Sequence, residues 1–161
     1  GTIDVSNGTD FRSTWGFCAS LISFPSLNLS KGEDFGYTWY SCNNLTTFNT
    51  TNFVEAKYFY SAWQTCTSLT DFPPNAFDNC YGEAQSYCFF NTWRYCDSLT
   101  AQSVENILSS INTSSFIAPA NGNEITIDYD VSTGNLTSLT QSSINSLKTK
   151  GWSIKVNGAV Q

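Results

Sequence analysis

One motif recurs four times along this chain of 161 residues. Each copy has Phe, then Trp four residues later, Cys three residues after that, and Leu three residues further on. The copies begin at Phe11, Phe35, Phe59 and Phe89, which gives periods of 24, 24 and 30 residues. Because Trp and Cys are rare residues that stay in register, the pattern indicates an internal repeat. Repeats of about 20 to 50 residues are typical of units that stack side by side and share one core.

The spacing inside each copy predicts its local structure. Apolar residues such as Phe11, Trp15 and Cys18 recur every three or four positions, which is the period of one face of a short helix. Residues 21–24 and 45–48 contain β-branched and aromatic side chains, which favour a brief strand. We therefore expect an α/β repeat solenoid with a short helix and a short parallel strand in each repeat. The Trp side chains are expected to stack in its core.

The expected organisation is a single domain of three parts. Residues 1–10 form an N-terminal cap, residues 11–102 hold the repeats, and residues 103–161 form a C-terminal cap of helices and strands. Caps of atypical sequence are needed because the end units of a stack have only one neighbour. The repeats span residues 11–34, 35–58, 59–88 and 89–102.

The C-terminal part has its own pattern. Ser103 is a candidate N-cap for a helix that follows the last motif. Residues 124–129 alternate in the manner of a strand, and residues 140–149 have apolar positions on one helical face. Gly151 is a plausible stop for that helix, and residues 152–156 form a further expected strand.

The composition excludes several functional classes. The formal net charge is −6, and the seven Lys and Arg residues form no cluster, so nucleic acid is not an expected partner. No apolar run approaches the roughly 20 residues of a membrane span, so no membrane insertion is expected. There is no His, the commonest metal ligand and general base. The chain also lacks a nucleophile elbow and a phosphate loop. We therefore expect no catalytic residues, no cofactor and no metal site.

The cysteines fall into two groups. Four of them occur once per motif, and their spacing matches no zinc pattern. Helices that pack side by side lie about 8–10 Å apart, whereas a disulfide needs Cα atoms within about 7 Å. Buried free thiols are therefore expected in the motifs. Cys80 and Cys88 lie instead in an insertion of the third repeat. A disulfide between them and a pair of free thiols both remain open.

The motifs carry a resemblance to a known repeat class. The segments FRSTWGFCASLISFPSLNLS and FYSAWQTCTSLTDFP resemble the BspA-like, or mycoplasma-lipoprotein-like, leucine-rich repeats of bacterial surface proteins. The form with Trp and Cys in every copy is similar to repeats in tail or surface proteins of marine bacteriophages. The resemblance covers residues 11–160. It implies a leucine-rich-repeat fold at an extracellular or virion surface, such as a tail or fibre, and it carries no shared catalytic residues.

Alternation along the strands predicts a ligand-binding face. Residues on either side of the strand Phe point away from the core, and parallel strands align them into columns on the concave face. The candidate ligand-binding residues are Ser23, Thr47, Asn49, Asp71, Pro73 and Ser103. The tyrosines outside the shared columns are expected to form either an exposed rim or half-buried packing. They are Tyr37, Tyr40, Tyr60, Tyr81, Tyr87 and Tyr95.

These observations favour a non-catalytic recognition or adhesion module. Its expected ligand is a host cell-surface glycan or protein, and the module is expected to belong to a larger chain or assembly. Two alternatives stay open. One is a structural spacer or assembly domain of a phage tail or capsid appendage, and the other is a bacterial surface adhesin.

Overall fold

The computed structural model describes residues 3–49 and 53–161. Two α-helices in this part of the chain are α1 (Ala101–Thr113) and α2 (Ser138–Thr149). Its strands are β1 (Ser23–Phe24), β2 (Thr47–Phe48), β3 (Tyr81–Glu83), β4 (Ser115–Ile117), β5 (Glu124–Ile127), β6 (Ser153–Val156) and β7 (Ala159–Val160).

The strands belong to three separate small sheets. Strands β1 and β2 pair in parallel, with Ser23 opposite Thr47. Strands β3 and β4 also pair in parallel and join the third repeat to the segment after α1. The third sheet has the order β5-β6-β7, in which β5 and β6 are parallel and β7 returns antiparallel to β6.

The expected α/β repeat solenoid of leucine-rich-repeat type is wrong. Both helices of the described chain follow the last motif, and the strands form separate sheets of two or three strands. The motif segments are not helical because residues two and six positions after the Phe have left-handed backbone, as in Ser13 (φ 55°) and Phe17 (φ 60°). A left-handed residue every fourth position interrupts a right-handed helix.

Consecutive turns replace the expected helix. Within the first motif, the Thr14 N–H donates to Phe11 O at 3.1 Å and the Gly16 N–H donates to Ser13 O at 3.2 Å. The alternate N–H groups cross to the next copy. The four pairs at the first junction are Phe11–Asp34, Ser13–Gly36, Trp15–Thr38 and Phe17–Tyr40, at 2.8, 3.0, 2.9 and 2.8 Å. The two later junctions have the same four bonds, so neighbouring motifs lie side by side in register.

The core is a column of Trp rings flanked by Phe rings. Trp39, Trp63 and Trp93 are fully buried, and Trp15 is partly buried. The ring centroids stack at 5.8 Å from Trp15 to Trp39, 4.8 Å to Trp63 and 5.6 Å to Trp93. The predicted Trp column is confirmed. Phe48 packs edge-on against Trp39 at 4.8 Å, so the strands and the turns enclose the same core.

The C-terminal elements cover the last motif. The N-cap of α1 is Thr100, whose side chain accepts the Ser103 N–H, so the predicted cap at Ser103 is three residues too late. Helix α2 ends at Thr149 with Lys150 as its C-cap, and Gly151 follows with φ 91°, as the sequence predicts. The Trp93 N–H donates to Thr126 O in β5 at 3.2 Å, which closes the stack of motifs at this end.

Residues 3–10, expected to be a cap, have the hydrogen bonds of residues 27–34. The Gly8 N–H donates to Val5 O at 2.9 Å, as the Gly32 N–H donates to Leu29 O at 2.9 Å. Both glycines lie against the ring of the Phe that opens the next motif. A Cβ would lie 2.5 Å from the Phe11 ring at Gly8 and 2.2 Å from the next Phe ring at Gly32. The close approach therefore requires glycine at both positions.

Candidate functional site

Three of the sequence-predicted ligand residues form a continuous ladder. Ser23 pairs with Thr47, and Thr47 forms a bridge with Asp71. The Thr47 hydroxyl donates to Ser23 Oγ at 3.2 Å, and the Asp71 carboxylate accepts the Thr70 hydroxyl at 2.8 Å. The structure therefore brings these polar groups together, with Ser23 and Thr47 hydrogen-bonded to each other and Asp71 hydrogen-bonded to Thr70.

The remaining predicted ligand residues have different surroundings. Asn49 is exposed and Pro73 is half-buried, each following its strand position. Ser103 as a ligand residue is wrong, because it lies in α1 with only 2% of its surface exposed. Its hydroxyl donates to Thr70 O at 2.9 Å and accepts the Phe72 N–H at 3.0 Å. The side chain thus takes the place of a further strand at the end of the ladder.

Cys80 and Cys88 are both buried free thiols in the structure. The Cys80 S–H donates to Phe53 O at 2.7 Å, and burial raises the pKa of both thiols. Three of the four motif cysteines donate in the same way, as Cys66 does to Trp39 O at 3.1 Å, whereas Cys18 is half-buried and is not bonded in this manner within the described residues. Protonated thiols held in this manner are structural and unreactive.

A chain of aromatic side chains crosses the surface of the motif segments. Each ring contacts the next, with centroid distances between 5.2 Å for Tyr37–Tyr60 and 5.9 Å for Tyr60–Phe90. We call this surface the aromatic strip. Its members are Phe17, Tyr37, Tyr40, Tyr58, Tyr60, Tyr87 and Phe90. Phe17 is 73% exposed, and Tyr37 and Tyr87 are exposed by 41% and 49%, so the strip meets solvent along its length.

The left-handed residues of the turns position several of these rings. Phe17, Tyr37 and Tyr87 have φ values of 60°, 57° and 65°, at positions where Gly or Asn would be unstrained. Large aromatic side chains are thus kept at positions that the backbone disfavours. Four members of the strip could be named from the sequence, whereas Phe17, Tyr58 and Phe90 were missed. The signal was an aromatic residue within two places of the motif Phe, or five or six places after it.

The strip is electrically neutral. Burial, followed by the neighbouring Tyr60 hydroxyl, raises the pKa of Tyr37 to about 12. Burial also raises the pKa of Tyr58, and nearby Asp34 acts in the same direction. These phenols therefore stay protonated at physiological pH and keep hydroxyl donors beside their rings.

A polar cleft of about 690 Å³ lies at the end of the strip, between Phe90 and strand β5. The Arg94 guanidinium lies 4.7 Å from the Tyr95 ring centroid. It makes no ion pair or hydrogen bond with the described part of the chain, so its donors are free. Three of the four cleft carboxylates already have one partner: Glu124 pairs with a lysine at 2.7 Å, Asp128 accepts the Tyr95 N–H at 2.8 Å, and Asp130 accepts the Ser132 N–H at 2.8 Å.

No protein family, curated protein or solved structure matches this chain. Within residues 3–49 and 53–161, no group of three or more Cys, Asp or Glu side chains could hold a metal ion. No helix in those two ranges is long and apolar enough to cross a membrane.

Proposed function

We propose that this chain is a non-catalytic recognition module that binds a saccharide chain along the aromatic strip. The observation that carries the proposal is the unbroken row of ring contacts from Phe17 to Tyr87, which crosses all four motifs on the exposed side of the turns. We further propose that the module acts at an extracellular or virion surface and in a larger assembly.

The chemistry of the strip suits sugar rings. Tyr offers an apolar face and a polar hydroxyl tip, the combination that a sugar presents in return through its C–H face and its hydroxyl groups. Rings that contact one another lose little conformational freedom when a ligand arrives, because the row is already ordered. At the end of the strip, the free donors of Arg94 and the carboxylates beside them match pairs of sugar hydroxyls.

The charge of the site favours an uncharged saccharide. The cleft contains Arg94 and Lys155 as cations, against the carboxylates of Asp97, Glu124, Asp128 and Asp130. The chain as a whole also has a net charge of −6. An anionic glycan would be repelled by both, whereas a neutral one would lose nothing.

A glycan array with the chain and three variants tests the proposal. Tyr37→Asn removes an exposed ring and suits the left-handed backbone, and Phe17→Ala removes the most exposed ring of the strip. Tyr81→Ala is the matched control, since Tyr81 is 57% exposed but lies outside the strip. Each strip variant should weaken binding by about tenfold, given about 1–3 kcal/mol per stacked aromatic ring in other ligand classes.

Two outcomes would contradict the saccharide assignment. An array with no bound glycan, together with a surface protein that is captured by the chain and lost in Tyr37→Asn, would make the strip a protein interface. The absence of any ligand would favour the structural spacer. Equal glycan binding by all variants would move the site away from the strip, with the Ser23–Thr47–Asp71 ladder next to be tested.

A further inference from the structure

The first motif presents backbone acceptors that have no donor in residues 3–49 or 53–161. At each junction between motifs, carbonyl groups of the later copy accept N–H groups of the earlier one. The corresponding carbonyls of the first copy are those of Asp10, Arg12, Thr14 and Gly16. None of them accepts a hydrogen bond from the described residues, although their counterparts at all three junctions do.

Two side-chain donors of the first motif are also without their usual acceptors. At the first junction, the Thr38 hydroxyl donates to Phe11 O at 2.9 Å and the Cys42 S–H donates to Trp15 O at 3.0 Å. The equivalent side chains of the first copy are Thr14, which is exposed, and Cys18, which is half-buried. Neither has such a carbonyl partner in residues 3–49 or 53–161.

The apolar groups of this face are open as well. Trp15 stacks on Trp39 at 5.8 Å on one side, whereas its other side borders an open cavity of about 720 Å³. Trp39, one copy further along, is covered on both sides and fully buried. The apolar lining of the cavity is formed by Ile3, Val5, Trp15, Leu21, Phe24 and Leu27.

We propose that this face of the first motif is a docking surface for a further F-x3-W-x2-C segment. Such a segment supplies alternate N–H donors for the four open carbonyls, a Trp ring for Trp15, and carbonyl acceptors for Thr14 and Cys18. Residues 3–10 already have the backbone arrangement that follows a motif in the later copies. The docking segment therefore joins this face in line with residues 3–10. This inference is independent of what the aromatic strip binds.

A second molecule of this chain is a poor occupant. Two such faces brought together would oppose carbonyl groups to carbonyl groups, and neither would supply the N–H donors that the other requires. At the opposite end of the stack, three of the four corresponding N–H donors of the fourth motif are already used. Asn91 and Trp93 donate to Thr126 in β5, and Tyr95 donates to Asp128.

An extended chain tests the docking surface. A duplicate of residues 11–24 placed directly before residue 1 puts a new Phe 24 residues ahead of Phe11, in the period of the first repeats. The duplicate carries Ser at its cysteine position, so that Cys18 remains the one thiol that is not fully buried. The matched control has the same extension with Asp at its Trp position.

Docking should protect Cys18. We expect labelling of Cys18 by a thiol reagent to slow by about tenfold or more in the extended chain and not in the control, with a higher Tm in the extended chain alone. Equal labelling rates in the extended chain and the control would overturn the proposal. Protection of Cys18 in the original chain that grows with protein concentration, together with dimers in sedimentation, would assign the face to a second copy instead.

Discussion

The buried thiols should make the fold sensitive to alkaline pH. Burial is the largest cause that raises the pKa of five cysteines above the usual value of 9.0, and the pKa of Cys42 rises to about 11. The five are Cys42, Cys66, Cys80, Cys88 and Cys96. Above pH about 9, the unfolded chain loses these protons while the folded chain keeps them. The free energy of unfolding therefore falls as pH rises, and the full contribution is present only below that pH.

The magnitude follows from proton linkage. Each thiol that ionises only in the unfolded chain lowers the free energy of unfolding by ~1.4 kcal/mol per pH unit. Five such thiols give a slope of several kcal/mol per pH unit. Over about two pH units, the loss in the free energy of unfolding is comparable to the whole stability of a small domain. The assay is urea unfolding followed by Trp fluorescence between pH about 7.5 and about 10, under reducing conditions.

A single substitution isolates the effect. Cys66→Ser retains a donor for Trp39 O, to which the thiol donates at 3.1 Å, but it removes one ionisable group. The fall of the free energy of unfolding with alkaline pH should therefore become less steep by ~1.4 kcal/mol per pH unit. This change is independent of any loss of stability that the variant shows at neutral pH. A free energy of unfolding that is flat from pH about 8 to about 10, or a slope unchanged by Cys66→Ser, would refute the reasoning.

Three further predictions concern stability and are measured by the same urea titration. Trp39→Ala should cost about 3–5 kcal/mol because Trp39 is stacked between two Trp rings, and a loss below about 1 kcal/mol would contradict the packing. Thr65→Asn should stabilise the fold by about 0.5–1 kcal/mol, because Thr65 has φ 65° and Asn tolerates left-handed backbone. Thr67→Asn is the control, and it should not stabilise the fold because Thr67 does not have a positive φ. Gly32→Ala should cost about 1–3 kcal/mol because its Cβ would meet a buried ring, and an unchanged midpoint would disprove that contact.

Much of the C-terminal structure could be predicted from the sequence. Strand β6 and helix α2 lie within two residues of their expected bounds, because alternation, an apolar helical face and Gly151 act locally and agree. The Trp column was also predictable, since a large apolar residue in every copy has to be buried against its equivalents.

The local structure of the motifs could not be predicted in the same way. Apolar residues three and four positions apart suit one face of a helix, but they also suit consecutive turns that each advance the chain by four residues. The distinction depends on left-handed residues such as Ser13, Phe17 and Tyr37, none of which is Gly or Asn. The hydrogen bonds to the next copy stabilise this left-handed conformation. The residue types within one copy do not indicate that these hydrogen bonds form.

The aromatic strip could not be predicted either, because it depends on the same turn structure of the motifs. Once turns replace the helix, Phe17 and Tyr37, which lie between the Phe and the Cys of their motifs, are exposed on the same side, and Phe17 meets Tyr40 from the neighbouring copy at 5.3 Å. The predicted ladder of Ser23, Thr47 and Asp71 needed only strand alternation, so it could be found from the sequence. The prediction of Ser103 as a ligand-binding residue failed because the fourth copy continues into α1 instead of a strand.

The backbone hydrogen bonds that cross between motif segments all have one direction. Four N–H groups of each copy donate toward the following copy, so their peptide dipoles add along the stack. The first copy thereby carries the negative end of this array, and the fourth copy carries the positive end. Asp128 lies at the positive end, where its carboxylate accepts the Tyr95 N–H at 2.8 Å. The chain thus places an anion where the summed dipoles stabilise one, as a helix does at its N-terminus.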